Sequence, residues 1–418
     1  MSFDIERPAA SLLGTALLAM ALLPAQVAAQ EYEAAPVFQA SEILPADLIS
    51  GPGFEVQPEV PNDGYVNLYE VRTPEGKKVE VQSTELLKIR IQELNALVQM
   101  NELAGTSVFK DAAIEAAKSP FVFAKDVVTS PIDTMGGVVK GTGQFFKNIG
   151  HAMFGSASEQ EEGVVGATLG TAAAKRAFAE EFQVDPYSTN EPMQSRLTDL
   201  SWTAFAGGMT TGVAMGAVAG EGAIGTVLEV TSFGGDMNSL IYDNPPEQLK
   251  VINAEKLEAM GVNQDIATAF LNHPLYSPTR KTYIVGALEQ MDGVEDREMI
   301  LDLAVTVANE PDTFLWQKGV EMMAGYHNNV APVLRIARIG SWPLLQNNVG
   351  TVVFVLPNDY IAWTEDLAAE AAEAGIIEAD IGIKELWLSG TVSPLAHQNF
   401  EALGWTVEED KLDALRLK

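Results

Sequence analysis

Four histidines, His151, His273, His327 and His397, are the natural starting points for metal or acid–base chemistry. No two of them stand at a site-building distance in the chain. Two ligands on one helix face need the HExxH spacing and two on a strand need HxH; neither occurs, so no metal is expected and each histidine reads as a cap or a surface group. The chain has no cysteine, which removes thiolate nucleophiles, disulfides and iron–sulfur ligation together. A GxSxG elbow and a phosphate loop are both missing from the sequence, and no cofactor is expected. The 57 carboxylates are too many for composition alone to single out a catalytic pair.

Three other groups carry candidate function. Pro357-Asn358-Asp359 follows one apolar strand pattern, and Ser389-Gly390-Thr391-Val392-Ser393 follows another, ahead of a helix opened by Pro394. Loops at the carboxyl ends of strands in open α/β sheets bind ligands, and a helix N-terminus there offers free amides to an anion, so Asp359, Ser389, Thr391 and Ser393 are ligand-binding candidates. Ordinary helix capping is the alternative. The loop Val184–Asn190 (VDPYSTN) concentrates hydrogen-bonding side chains in an apolar neighbourhood; Asp185 and Tyr187 there either bind a ligand or pin two helices together.

The third group is Ala204, Gly208, Gly212, Gly216 and Gly220, one small residue every four, inside the uncharged 21-residue stretch Leu200–Gly220. Such a face lets helix backbones approach closely, either inside a soluble core or in a bilayer, where about 20 apolar residues suffice to cross. The stretch is poor in Leu and Ile and is flanked by Asp199 and Glu221, which favours the core; membrane association through residues 200–228 is the alternative.

These groups must be held by elements that the periodicity predicts. Residues 65–72 and 78–83 alternate around the turn Thr73-Pro74-Glu75-Gly76-Lys77 and form a hairpin. Ser83 or Thr84 caps a helix carrying Leu86, Ile89, Leu94, Leu97 and Val98, ended by Gly105, and another helix follows Thr106. A glycine-interrupted apolar stripe runs through 131–154, and 163–182 is again helical by pattern. Residues 246–330 read as an all-α block of short helices with caps at Asn253, Ser277 and Asp292. The last third alternates strands at 351–356, 384–388 and 405–408 with helices at 363–374 and 394–403. The expected fold is mainly α with a small α/β part: an N-terminal β-hairpin, a multi-helical body with Gly-rich helices, and a C-terminal β-α-β-α-β unit. Its segments are an extended proline-punctuated leader at 30–61, hairpin plus Gly-rich helices at 62–245, the all-α block at 246–330 and the α/β unit at 331–418.

Residues 1–29 read as a signal peptide. Ser11–Leu23 is an uncharged apolar run too short for a comfortable membrane span, Pro24 breaks it, and small residues at Val27 and Ala29 place cleavage before Gln30. The opening segment carries Asp4 and Glu6 against Arg7, which is unusual for such a leader, and an uncleaved anchor is the alternative. The formal charge of −31 repels phosphate backbones, so nucleic acid is not an expected partner. Taken together, these features predict a periplasmic or secreted, noncatalytic binding or envelope-structural protein with an unknown protein or small-molecule partner. The alternatives are a membrane-active protein built on the glycine face and a hydrolase with sequence-dispersed carboxylates.

VDPYSTN, NHPLYSPTRKTYIVGAL from Asn272 and LSGTVSPLAHQNFEALGW from Leu388 together resemble a VDPYSTN-containing family of exported bacterial proteins without an assigned activity. The resemblance spans most of the chain after the leader. It implies a Gram-negative envelope or secreted setting, and no catalytic residue or cofactor.

Overall fold

Leu44, Leu48, Phe54, Val56 and Val60 share no helical or strand period, yet all are buried. The expectation of an extended leader at 30–61 therefore fails from Val37 onward. The computed structural model describes residues 32–118, 164–207, 231–340, 342–373 and 382–418. Within it the stretch forms β1 (Val37–Gln39), α1 (Ala40–Ile43), a 3-10 turn, β2 (Ser50–Gly51), β3 (Phe54–Val56) and β4 (Glu59–Pro61). These short pieces cover the open face of the expected hairpin, β5 (Leu68–Arg72) and β6 (Lys78–Gln82), where Tyr69 faces Val81 and Val71 faces Val79. The hairpin becomes half of a four-stranded sheet ordered β2-β3-β5-β6, while β1 pairs with β4. Gly76, at φ +79°, supplies the left-handed residue of its turn.

Ser83 Oγ accepts the Leu86 amide at 3.3 Å and starts α2 (Thr84–Gly105). Leu86, Leu87, Ile91 and Leu94 pack under the hairpin. Further along, Ala96, Met100 and Leu103 enter a second cluster with α3 (Ser107–Lys118), α4 (Val164–Glu181) and α5 (Glu191–Ala206). Ala204, the first member of the small-residue face, is fully buried in that cluster. A Cβ added at Gly207 would lie 2.4 Å from the Ala112 carbonyl oxygen, so α3 and α5 touch through backbone, as a small-residue packing face allows. The leader 1–29, the stripe 131–154 and Gly208, Gly212, Gly216 and Gly220 lie outside the described residues.

The all-α block comprises α6 (Ser232–Asp243), α7 (Pro246–Ala259), α8 (Gln264–Leu271), α9 (Pro278–Glu289), α10 (Glu298–Ala304) and α11 (Glu310–Asn329). Ser277 caps α9 as expected, accepting the Arg280 amide at 3.2 Å. Asn253 does not cap: it sits inside α7, buried, and donates to Thr282 Oγ1 of α9 at 3.0 Å. Nor does Asp292, because α10 begins six residues later and Arg297 precedes it.

Beyond α11 come β7 (Val333–Ile339), β8 (Trp342–Asn347), β9 (Val352–Leu356), β10 (Tyr360–Ile361), α12 (Glu365–Glu373), β11 (Lys384–Leu388), β12 (Thr391–Val392), α13 (Pro394–Ala402), β13 (Trp405–Glu408) and α14 (Leu412–Leu415). The parallel trio β9, β11 and β13 matches the expected unit, but β8 and β7 extend it antiparallel into a five-stranded sheet ordered β13-β11-β9-β8-β7. One face, with Phe354, Leu386 and Leu388, packs on Leu367 of α12 and on Ala396 and Phe400 of α13. Val353 and Val355 on the other face join Val320 and Met323 of α11. The described residues from Glu33 to Lys418 form one compact unit.

Candidate functional site

The structure brings Asp359, Ser389, Thr391 and Ser393 together at the carboxyl ends of β9 and β11, where Tyr360 pairs with Thr391. The side-chain oxygens of Asp359, Ser389 and Ser393 are engaged by the chain itself, and Thr391 is engaged through its backbone. Asp359 Oδ2 accepts the Asn67 amide at 2.9 Å, and both its oxygens accept the Thr84 amide at 3.1 Å, so it caps the first turn of α2 across 275 residues. Burial pushes its carboxyl up while those amides pull it down. Ser389 Oγ donates to the Asn358 carbonyl at 2.6 Å and accepts the Asn358 amide at 2.7 Å. Ser393 Oγ accepts the Ala396 amide at 2.9 Å as the N-cap of α13, and donates to Glu33 Oε1. Glu33 also accepts the Trp363 amide at 2.6 Å. The expected attraction of anions to these helix N-termini is met from within: Glu33 serves α13 and Asp359 serves α2. Segment 62–67 completes the seam, with the Tyr65 carbonyl accepting the Asp359 amide at 3.1 Å and the Gly64 carbonyl accepting that of Ala362 at 3.1 Å. This edge is the joint between the two ends of the chain.

Asp185 and Tyr187 lie elsewhere, and their roles divide. Tyr187 Oη donates to the Asn244 carbonyl at 2.7 Å and ties the loop to the α6–α7 junction. Asp185 Oδ1 accepts the Tyr187 amide at 2.8 Å, closing a turn, and the Thr279 hydroxyl at 2.6 Å from the first turn of α9. Neither bond uses Oδ2. Asp185 also lines a cavity of about 460 Å³ bounded by α2, the Gln183–Thr189 loop, α6, α9, α11 and the chain end from Leu412. Its wall mixes apolar side chains such as Phe233, Ile241, Tyr283 and Phe314 with nine charged ones, five cationic and four acidic. In a chain with 57 acids and 26 bases, that balance makes the cavity a cation-enriched place in an acidic molecule.

The charged wall is built from pairs. Glu93, 1% exposed, accepts from Arg90 Nη1 at 2.7 Å, from Asn190 Nδ2 at 2.8 Å and from Ser188 Oγ. Arg90 reaches on to Ser188 Oγ at 3.2 Å and Thr189 Oγ1 at 2.8 Å, so the VDPYSTN loop is clamped to α2 by one ion pair. On the opposite wall Arg280 Nη1 meets Glu310 Oε1 at 2.5 Å, the Glu310 carbonyl at 3.1 Å and Thr313 Oγ1. Lys318 pairs with Glu321 at 2.8 Å. The Phe314 ring lies 5.9 Å from the Arg280 guanidinium carbon and 5.8 Å from Lys318 Nζ. Burial lowers the pKa of Arg280, and nearby Arg90 adds to that effect against the pull of Glu310 and Asp185. Sequence patterns singled out none of Arg90, Glu93, Arg280 and Lys318.

Burial pushes the Asp185 carboxyl up to about 6, with Glu93 adding to the rise, and with Thr279, the Tyr187 amide and Arg280 opposing it. Lys175 of α4 also feels its charge. A carboxyl raised in the fold binds its proton more tightly there than in the unfolded chain, so this group adds stability as pH falls from about 6 towards 4 and removes it as pH rises again. Asp185→Asn keeps the acceptor oxygen and deletes the desolvated charge. The variant is therefore expected to melt above the wild type at pH 7.5, by on the order of 2 kcal/mol, and to converge on it near pH 4. Parallel melting curves at the two pH values check this, and a variant less stable than wild type at both would show that the charge itself is needed.

The histidines gather nothing. Nδ1 of His327 accepts the Val333 amide at 3.0 Å, His273 Nδ1 accepts that of Leu275 at 3.4 Å, and His397 stands half-exposed 3.5 Å from Glu401; His151 is outside the described residues. Among the described residues no group of three or more His, Asp or Glu side chains could hold a metal ion, and no helix is long and apolar enough to cross a membrane. No protein-family model matches the chain, nor does any curated protein or solved structure.

Proposed function

We propose that this chain is an exported, noncatalytic binding protein of the periplasm or the medium, and that the cavity between α2, α9 and α11 takes its ligand. The observation that carries the proposal is the cavity itself: about 460 Å³, within the size of small-molecule sites, with apolar walls and a few convergent polar groups. Ion pairs moved out of water add little to stability, because desolvation offsets their attraction. Lining a cavity with the pairs Arg90–Glu93 and Lys318–Glu321, and with the Arg280 end of its pair with Glu310, is thus poorly accounted for by folding alone. The uncharged run Ser11–Leu23 with small residues at Val27 and Ala29 supports export.

The hydrolytic alternative would rest on the Thr279 hydroxyl and Asp185, 2.6 Å apart in the cavity wall. Both are turned to each other to fasten the loop to α9, which favours holding a ligand over attacking one.

Two measurements test the proposal. Expressed with its leader in a Gram-negative host, the protein is expected outside the cytoplasm with Gln30 as its first residue, and native mass spectrometry of that material is expected to find a small molecule released on unfolding. Full-length chain confined to the cytosol sinks export. A ligand-free spectrum, together with no component of an envelope extract raising the melting temperature, sinks binding.

A further inference from the structure

Arg280 is 6% exposed, and every one of its hydrogen bonds and its ion pair runs through Nη1, to Glu310 and Thr313. Its Nε and Nη2 make none of them, and neither is a buried atom without a partner, although the residue lines the cavity. A guanidinium presents Nε–H and Nη2–H side by side in the geometry that a carboxylate fills with two parallel bonds. That edge is a donor pair held rigidly by Glu310 and by the Phe314 ring beneath it.

Two acceptors share the cavity wall with this fork. Gln92 is 6% exposed; its Nε2 donates to the Gln183 carbonyl while its Oε1 is buried with no hydrogen-bond partner. Asp185 Oδ2 is likewise outside the bonds that fasten Oδ1. A buried acceptor without a donor costs free energy unless something supplies one, so the cavity asks for a ligand donor as well as a ligand anion. Phe233, Ile241 and Tyr283 offer apolar and aromatic surface to the rest of such a molecule.

We propose that the cavity binds a small organic acid of the acylated amino-acid kind: a carboxylate seated on the Nε/Nη2 edge of Arg280, an N–H or O–H donor for the free acceptors, and an apolar body against the aromatic wall. This rests on the cavity being the ligand site and adds the chemistry of what enters it. Lys318 and Arg90 reinforce the anion preference in a chain whose overall charge would otherwise repel it.

Dansylglycine and its neutral amide, which differ only at the carboxyl group, make the test by fluorescence titration of the mature protein at pH 7.5. The acid is expected to bind at least about tenfold more tightly than the amide, the worth of a charge-assisted bidentate contact. Arg280→Lys keeps a cation for Glu310 but loses the fork, and is expected to remove that preference. Equal binding of acid and amide, or undiminished preference in Arg280→Lys, overturns the carboxylate assignment while leaving the cavity a binding site. Binding of neither probe overturns the ligand class, and the ligand mass sought in the exported protein then decides separately whether the cavity binds anything. The acid-against-amide comparison needs no variant, so it stands even where Arg280→Lys does not fold.

Discussion

Glu93→Ala is expected to destabilise the protein by about 3–5 kcal/mol. The glutamate is 1% exposed and satisfies Arg90, Ser188 and Asn190 at once. Removing it strands the Arg90 guanidinium, whose side chain is 11% exposed, next to the cation of Arg280. An unpaired charge in that setting costs far more than the ion pair contributed. Glu93→Gln keeps an acceptor for Ser188 and is expected to recover part of the loss. Urea unfolding followed by far-ultraviolet circular dichroism measures both, with an unchanged slope showing that stability rather than compactness has moved. A loss under about 1 kcal/mol for Glu93→Ala would place the pair among screened surface bridges and remove the clamp between α2 and the VDPYSTN loop.

The clamp explains what could and could not be read from the chain. The periodic elements were legible: β5 and β6 around their Gly76 turn, α2 from its Ser83 cap, and the strands 384–388 and 405–408, whose bounds coincide with β11 and β13. Each is set by local pattern and local capping. Segment 37–61 was not, because its buried residues are spaced by the shape of the hairpin they cover. Strands β7 and β8 were hidden by Arg335 and Arg338, which lie on the edge strand β7 where the Glu295 backbone pairs, and by Pro343, which lies in β8 before the residues Leu345 and Gln346 that pair with β9.

The cavity wall is harder still, since its residues come from positions 85 to 417 and only tertiary contact assembles them. One signal was present: Arg90 and Glu93 interrupt the apolar stripe of α2 between Ile89 and Leu94, and charges set into a buried face demand partners. Asp185 was legible because a loop dense in hydrogen-bonding groups is visible locally. Asp359 and Ser393 stand at strand ends, where they accept amides at the starts of α2 and α13. That Glu33, some 330 positions away, supplies the anion at Trp363 is a fact of topology that no window of sequence contains.

Gly325→Ala sets local propensity against tertiary contact. Inside a helix the substitution ordinarily gains about 1 kcal/mol, since glycine loses more backbone freedom on folding than alanine. Here the added Cβ would lie 1.7 Å from the Leu415 carbonyl oxygen and 2.4 Å from its carbonyl carbon, so α14 runs directly over the bare backbone of α11. Backbone cannot rotate away as a side chain can. The C-terminal segment must lift, releasing the buried Leu415 and Leu417 and the bonds from Asn329 Nδ2 to the Ala414 and Arg416 carbonyls at 3.1 and 2.9 Å. Since Leu412, Leu415 and Leu417 also form part of the cavity wall, stability and probe binding are expected to fall together, the former by roughly 3 kcal/mol, the upper end of overpacking costs. Removing residues 411–418 deletes the clash, so in the shortened chain Gly325→Ala is expected to be neutral or slightly stabilising. That reversal of sign is a coupling only direct contact produces. A full-length Gly325→Ala protein as stable as the wild type would mean that α14 does not rest on α11, and that the cavity is open on that side.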